Sequence, residues 1–250
     1  MIWIVGGTTE AVKVAARIKN KVHYIVSVAT PSGKEAFEGE NVLVARLTEQ
    51  EMIVFIKEYG IEKIVDLSHP YAVEVSKNAN KAARTCDIPY IRYVRAMTDV
   101  KEAVVINEMS ALLTYLEGIK GCVFFTTGAN DIHQFEKVKA GNRFVYRILP
   151  APFSIQKAAD SGVAMEDIIA IKGPLSKALN SAMFTDYSAD YVVMKNSGIE
   201  GGTAKKIAAC REKGITPVVW NRKVEKGVYC LDALIEKYIF KKYIDNDNTI

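Results

Sequence analysis

The stretch Ile-Trp-Ile-Val-Gly-Gly-Thr-Thr-Glu, Ile2 to Glu10, decides how the rest of the chain is read. Its apolar run is too short for a signal or membrane segment and suits a buried parallel strand that stops at two glycines. From Thr8 onward, Ala11, Val12, Val14, Ala15, Ala16 and Ile18 give an apolar stripe at helical spacing, with Lys13, Arg17 and Lys19 turned outward. Strand, glycine turn and helix open a nucleotide-binding α/β unit. The glycines let a phosphate approach the backbone, and the free amides and positive dipole end of the helix attract it. A full G-x-G-x-x-G is absent, because Thr8 and Thr9 follow Gly6 and Gly7. By itself the stretch therefore leaves two readings open, a phosphate site and an ordinary βα turn.

The composition, 250 residues with 49% hydrophobic and 25% charged, is that of a globular chain with one large or two modest domains. No apolar run approaches the roughly 20 residues of a membrane helix and no processing signal precedes Met1, so a cytoplasmic location is expected. Cys86, Cys122, Cys210 and Cys230 are scattered singly, which predicts reduced, mostly buried thiols and neither zinc nor disulfides. A net charge of +4 without a basic run argues against a nucleic-acid binder and is compatible with an acidic small-molecule substrate.

The second strand, Val22 to Ala29, ends at Thr30-Pro31-Ser32-Gly33-Lys34. NAD-binding Rossmann units usually place an acid here to hold the ribose diol. Hydroxyls, a glycine and a lysine stand here instead and favour NADPH, whose 2′-phosphate they can hold, although a plain polar loop would read the same way. A short strand at Asn41 to Ala45 precedes a helix from Thr48 to Tyr59, with a Thr48–Glu51 capping box and Gly60 as its stop. The strand Ile61 to Asp66 then delivers Asp66-Leu67-Ser68-His69-Pro70-Tyr71-Ala72 at a carboxyl end, where open α/β sheets bind ligands. An imidazole titrates near neutrality, which suits proton transfer, and Pro70 stiffens the turn that aims His69. The alternative is that His69 caps the next helix, Val73 to Cys86, or bonds within the turn. His23 and His133 read as structural. Tyr90 to Val94 closes a first half of five strands, with Arg92 and Arg95 at its end. Polar, aperiodic Ala96 to Lys101 places the boundary near Asp99, which gives domains 1–98 and 99–250.

In the second half the strands read Cys122 to Thr126, Arg143 to Leu149, Asp167 to Lys172, Tyr191 to Lys195 and Thr216 to Trp220. They end in Thr126-Thr127-Gly128-Ala129-Asn130, Arg147-Ile148-Leu149-Pro150, Lys172-Gly173-Pro174-Leu175-Ser176, Lys195-Asn196-Ser197-Gly198 and Asn221-Arg222. Ser197 to Lys206 is a glycine turn running into a helix, and its amides can hold a phosphate or a carboxylate. It is not a P-loop. At least one of Lys205 and Lys206 is expected on a solvated helix face.

Together these motifs resemble the precorrin-6A reductases of cobalamin biosynthesis, including the cobalt-precorrin-6A reductases of the anaerobic route. The resemblance spans almost the whole chain. It rests on GGTTE at Gly6 to Glu10, SHPYA at Ser68 to Ala72, IPYIRYVR at Ile88 to Arg95, TTGAN at Thr126 to Asn130, RILP at Arg147 to Pro150, KGPLS at Lys172 to Ser176 and KNSGIEGGTAKKIAA at Lys195 to Ala209. Ser68 and Tyr71 stand where threonine or alanine and phenylalanine are common in the family, and Asn221-Arg222 replaces a frequent Arg-Pro. The resemblance implies an α/β protein of two Rossmann-like domains, with mainly parallel sheets flanked by helices and a ligand cleft between them. It also implies hydride transfer from NADPH or NADH to one double bond of a tetrapyrrole-derived macrocycle, giving (cobalt-)precorrin-6B.

Gly6, Gly7, Thr8, Thr9, Thr30, Ser68, Gly128, Ser197, Gly201, Gly202, Thr203 and Lys205 are then the candidate cofactor-binding residues. A macrocycle rich in carboxylates asks for cations at strand ends, which Arg92, Arg95, Arg147, Lys172, Lys195 and Arg222 can supply. His69 and Tyr71 are the candidate proton donors, with a lysine or water as alternatives; no metal is expected. Hydride transfer needs positioning more than catalytic side chains. Two rivals remain. A dinucleotide-sensing module would leave the cations of the second half without a role, and a nucleotide-dependent transferase would want an acidic metal-binding pair that no strand end carries.

Overall fold

A strand covered on both faces must be apolar at every position, and Ile2–Val5 (β1) is buried throughout. Its side chains alternate between two cores. Ile2 and Ile4 pack with Val14, Ile18 and Val26 on one face, and Trp3 and Val5 pack with Met52, Phe55 and Ala82 on the other. The computed structural model describes residues 1–37, 41–221 and 225–241, which form two units.

The first unit alternates strands and helices in the order β1, α1 (Thr9–Ile18), β2 (Tyr24–Val28), α2 (Pro31–Lys34), β3 (Val42–Val44), α3 (Glu49–Glu58), β4 (Lys63–Asp66), α4 (Val73–Thr85) and β5 (Tyr90–Arg92). All strands pair in parallel in the order β3-β2-β1-β4-β5. The expected capping box is present: the Thr48 side chain accepts from the Glu51 amide, and the Glu51 carboxylate accepts from the Thr48 amide at 2.7 Å.

The second unit runs β6 (Val104–Ile106), α5 (Met109–Glu117), β7 (Cys122–Phe125), α6 (Ile132–Glu136), β8 (Arg143–Ile148), α7 (Pro152–Asp160), β9 (Ile168–Ala170), α8 (Lys177–Asp186), β10 (Tyr191–Lys195), α9 (Thr203–Lys213) and β11 (Thr216–Trp220). Its sheet is also parallel, in the order β6-β11-β10-β7-β8-β9. Strand β6 is absent from the sequence reading. Val104-Val105-Ile106 has no length or period of its own and becomes a strand by pairing with β11 at the sheet edge.

The described residues 225–241 group with the first unit by their contacts. Val228 bridges Tyr93 beyond β5, with the Val94 amide donating to Val228 O at 2.9 Å and the Val228 amide to Arg92 O at 2.8 Å. A helix, α10 (Leu231–Ala233), continues in π-helical turns over Leu234–Phe240 and buries Leu234, Ile235 and Ile239 against Ile4 and Ile18. The sequence reading assigned this segment to the second domain. Among the described residues, no helix is long and apolar enough to cross a membrane.

The placement of this segment is testable because Trp3 lies in the first unit and Trp220 in the second. In a Trp220→Phe background, where Trp3 alone reports, Ile235→Ala should lower the unfolding free energy by about 2–4 kcal/mol in a urea titration followed by fluorescence. An unchanged Trp3 transition would contradict this packing.

Candidate functional site

In open α/β sheets, ligands bind beyond the carboxyl ends of the strands, where the strand order reverses. That point lies between β1 and β4 in the first unit and between β7 and β10 in the second.

At the first point β1 runs into Gly6 and Gly7 and β4 into Ser68-His69-Pro70-Tyr71. Gly7 has φ of +94°, which disfavours any side chain, and a Cβ built there would meet no atom within 4 Å. The space over this turn is open. The Thr8 hydroxyl caps α1 by accepting from the Ala11 amide at 3.2 Å and donates to Leu67 O at 2.7 Å, which ties the two loops together. Thr9 is exposed in the first turn of α1. Across the β2 edge, exposed Thr30 caps α2 by accepting from the Gly33 amide, with the Ser32 hydroxyl 3.2 Å away and Lys34 exposed one turn on.

Beneath these loops, Asp66 is wholly buried at the end of β4. Its carboxylate accepts from the Ser68 amide at 2.8 Å, Tyr90 Oη at 2.6 Å and Arg92 Nη1 at 2.9 Å. Burial and the adjacent carboxylate both raise the Tyr90 phenol far above its usual value, so it stays a donor. Arg92 also donates to Ser68 O and Oγ, each at 3.0 Å, and through Nε to Glu225 at 3.0 Å. Burial opposes its charge, but Asp66 and Glu225 together hold its pKa above the usual guanidinium value. Ser68 is therefore enclosed by Arg92 and by Ser76, whose hydroxyl lies 3.1 Å from its own.

His69 stands exposed above this network, its Nδ1 accepting from the Tyr71 amide at 3.2 Å, so the neutral ring carries its proton on Nε2. Tyr71 is half-buried, with its ring 5.9 Å from that of His69. Arg95 is buried and donates through Nε and Nη2 to the two oxygens of the buried Glu10 carboxylate. Burial would raise the Glu10 carboxyl, but its bonds with Arg95 hold it below the usual range. Arg92 and Arg95, expected to meet substrate, thus have carboxylate partners within their own unit.

At the second point β7 runs into Thr126-Thr127-Gly128 and β10 into Asn196-Ser197-Gly198. The Thr126 amide donates to Val193 O at 2.8 Å, and half-buried Gly128 lies between β7 and α6 in sequence. The turn into α9 folds on itself so tightly that a Cβ on Gly201 would lie 2.1 Å from the Ser197 Cβ. Only glycine fits. The buried Thr203 hydroxyl accepts from the Ser197 amide at 3.1 Å, 3.4 Å from Lys195 O, and Gly202 precedes it as the N-cap residue. Lys195 pairs with Asp131 at 2.9 Å and lies 4.9 Å over the Trp220 ring. Arg147 donates to Asn180 Oδ1 at 2.7 Å, and burial pushes its pKa down to about 10. Lys172 is exposed, and Arg222 lies outside the described residues.

Of the two adjacent lysines in α9, Lys205 is exposed and Lys206 is buried. The sequence reading took Lys205. The signal for Lys206 was present, since positions 203, 206, 207 and 210 follow helical spacing along one buried stripe.

The family model described as precorrin-6x reductase CbiJ/CobK matches residues 1–238. A cobalt-precorrin-6A reductase of Priestia megaterium is 36% identical over 91% of this chain and 92% of its own length. One of Salmonella typhimurium is 31% identical over 87% of this chain and 86% of its own. The solved structure "CobK precorrin-6A reductase" superposes with a TM-score of 0.74 over 94% of both chains at 20% identity, which supports the fold.

The Glu10–Arg95 pair predicts a pH signature. Arg95→Met leaves a buried carboxylate without its partner and should cost about 3–5 kcal/mol of stability at neutral pH, most of it restored in Glu10→Gln/Arg95→Met. Because the folded-state pKa of Glu10 is depressed, the pair's contribution is present above the unfolded value near 4.5 and is lost as pH falls through the folded value. Denaturant titrations across that range should show the gap between wild type and Arg95→Met narrowing in acid.

Proposed function

The chain belongs to the precorrin-6x reductase family, and from that membership we propose a cobalt-precorrin-6A reductase that uses NADPH at the switch point of its first unit. It is an oxidoreductase of cobalamin biosynthesis acting on a tetrapyrrole macrocycle, with a nicotinamide nucleotide as reductant. The open turn at Gly7 carries the placement of the cofactor. This backbone is accessible, lies at the start of a helix and follows the central strand of a β3-β2-β1-β4-β5 sheet.

Gly6, Gly7 and the first amides of α1 would hold the diphosphate. Thr30, Ser32 and Lys34 would hold a 2′-phosphate, a role for which the five residues from Thr30 to Lys34 offer hydroxyls and a cation with no acid among them. A bound reduced nicotinamide supplies the hydride that saturates one double bond, and a proton must reach the other carbon. His69 would deliver that proton as the imidazolium, giving it up from Nδ1 and returning to the neutral ring that keeps its proton on Nε2 and accepts the Tyr71 amide at Nδ1. Arg92 and Arg95 act as positioning residues, setting Ser68 and the α1 turn. Lys172, exposed beyond β9, receives a carboxylate of the macrocycle, whereas Lys195 stays with Asp131. The four free cysteines accord with a reducing, cytoplasmic setting.

Mixing the protein with NADPH and cobalt-precorrin-6A should consume the reduced nicotinamide, as followed by its absorbance; no consumption with this or the metal-free macrocycle would overturn the reading. Lys34→Ala should weaken NADPH binding by about 1 kcal/mol, roughly fivefold, and leave NADH binding unchanged. An equal loss for both nucleotides would place the 2′-phosphate elsewhere. Gly7→Val should weaken both nucleotides and lower stability, because a branched side chain is strained at this φ and covers the turn.

A further inference from the structure

Two cations of the second unit, Lys206 and Arg147, stand apart from its paired ones. Lys206 is 5% exposed, and its ammonium meets the Thr126 hydroxyl at a long 3.4 Å. Among the described residues no carboxylate pairs with it, nor with Arg147, which donates to the neutral amide of Asn180. Lys206 also sits in the first turn of α9, where the helix dipole is positive and disfavours a cation. Arg147 follows Tyr146 on β8 as Thr126 follows its pairing partner Phe125 on β7, so three like potentials meet near Thr126. A further polar group in the same loop, the Thr127 hydroxyl, is buried without a hydrogen-bond partner. Among the other described cations, buried Arg92 has Asp66, buried Arg95 has Glu10 and half-buried Lys195 has Asp131.

We infer that Lys206, Arg147 and Thr126 form a receptor for a single oxyanion, a carboxylate or phosphate group of a bound ligand, at the switch point of the second sheet. The Thr126 hydroxyl donates to Val193 O at 3.3 Å and would turn from it, so that an ion of this kind accepts from the ammonium, the guanidinium and the hydroxyl at once. The inference stands on this geometry; only the two candidate sources, a macrocycle carboxylate and a nucleotide phosphate, rest on the reductase reading.

The site is also coupled to protons. Burial and then Arg147, facing it from β8, push the Lys206 pKa down to about 7. The Cys210 thiol on the same helix is itself pushed up to about 12, mainly by burial, and stays neutral. An arriving anion favours the ammonium, so binding draws in a proton near neutrality, and affinity falls as pH rises through this range.

Calorimetric titration of the full chain with NADP⁺, and separately with uroporphyrin as a polycarboxylate macrocycle, tests this. Lys206→Met should bind one probe roughly ten- to a hundredfold more weakly while its melting temperature holds or rises, since a buried unpaired charge has been removed. Selective loss for NADP⁺ identifies a phosphate, and selective loss for uroporphyrin identifies a carboxylate. Wild type, titrated in two buffers of different ionisation enthalpy, should take up a proton on binding that probe; this arm needs no variant and decides the matter if Lys206→Met does not fold. Unchanged affinity for both probes in a folded Lys206→Met, or no proton uptake by wild type, overturns the inference. If wild type binds neither probe, the reductase reading fails, and inorganic pyrophosphate decides: weaker binding by Lys206→Met sustains the receptor, and equal binding removes it.

Discussion

A wholly buried carboxylate at the end of β4 organises the first unit. Asp66 cannot remain charged away from water without donors, and it finds them in the Ser68 amide, the Tyr90 phenol and the Arg92 guanidinium. Satisfying that charge fixes three things together. The chain must turn at Ser68 to bring its amide back, β5 must lie beside β4 so that Tyr90 and Arg92 reach across, and Arg92 must stay inside, where its Nε meets Glu225 of the C-terminal segment. The loop carrying His69 and Tyr71 thus rises from a rigid polar base.

The Glu10–Arg95 pair does similar work at the neighbouring turn. Glu10 lies in the first turn of α1, where a negative charge suits the helix dipole, and Arg95 reaches it from beyond β5. The amides around Gly7 are thereby set against a fixed helix start. Both pairs are costly to form in isolation and costly to break, which makes them devices of geometry more than sources of net stability.

The second unit shows the opposite treatment of charge. Its turn into α9 is held by neutral bonds, chiefly the Thr203 hydroxyl to the Ser197 amide, and by the fit of Gly201 against Ser197. Lys195, at the end of β10, is answered by Asp131, whereas Arg147 has only an amide. Cations that look equivalent as strand-end residues in the sequence therefore differ in how much charge they leave for a ligand.

The sequence by itself determined the alternation of strands and helices, the parallel sheets, the glycine turns after β1 and β10 and, through its ordered motifs, the family. These are local properties, in which strand burial, helical period, capping and turn chemistry are written within a few residues of one another. Tertiary structure alone decided which polar residues are spent on the fold. Arg92 and Arg95 read as substrate cations because Asp66 and Glu10 lie 26 and 85 residues from them, and only sheet order brings them together. Likewise Val104–Ile106 becomes a strand only beside β11, and the last described segment joins the first core only because Leu234, Ile235 and Ile239 find Ile4 and Ile18 there. Pairing and burial depend on the whole chain's path, and a one-dimensional pattern does not record that path.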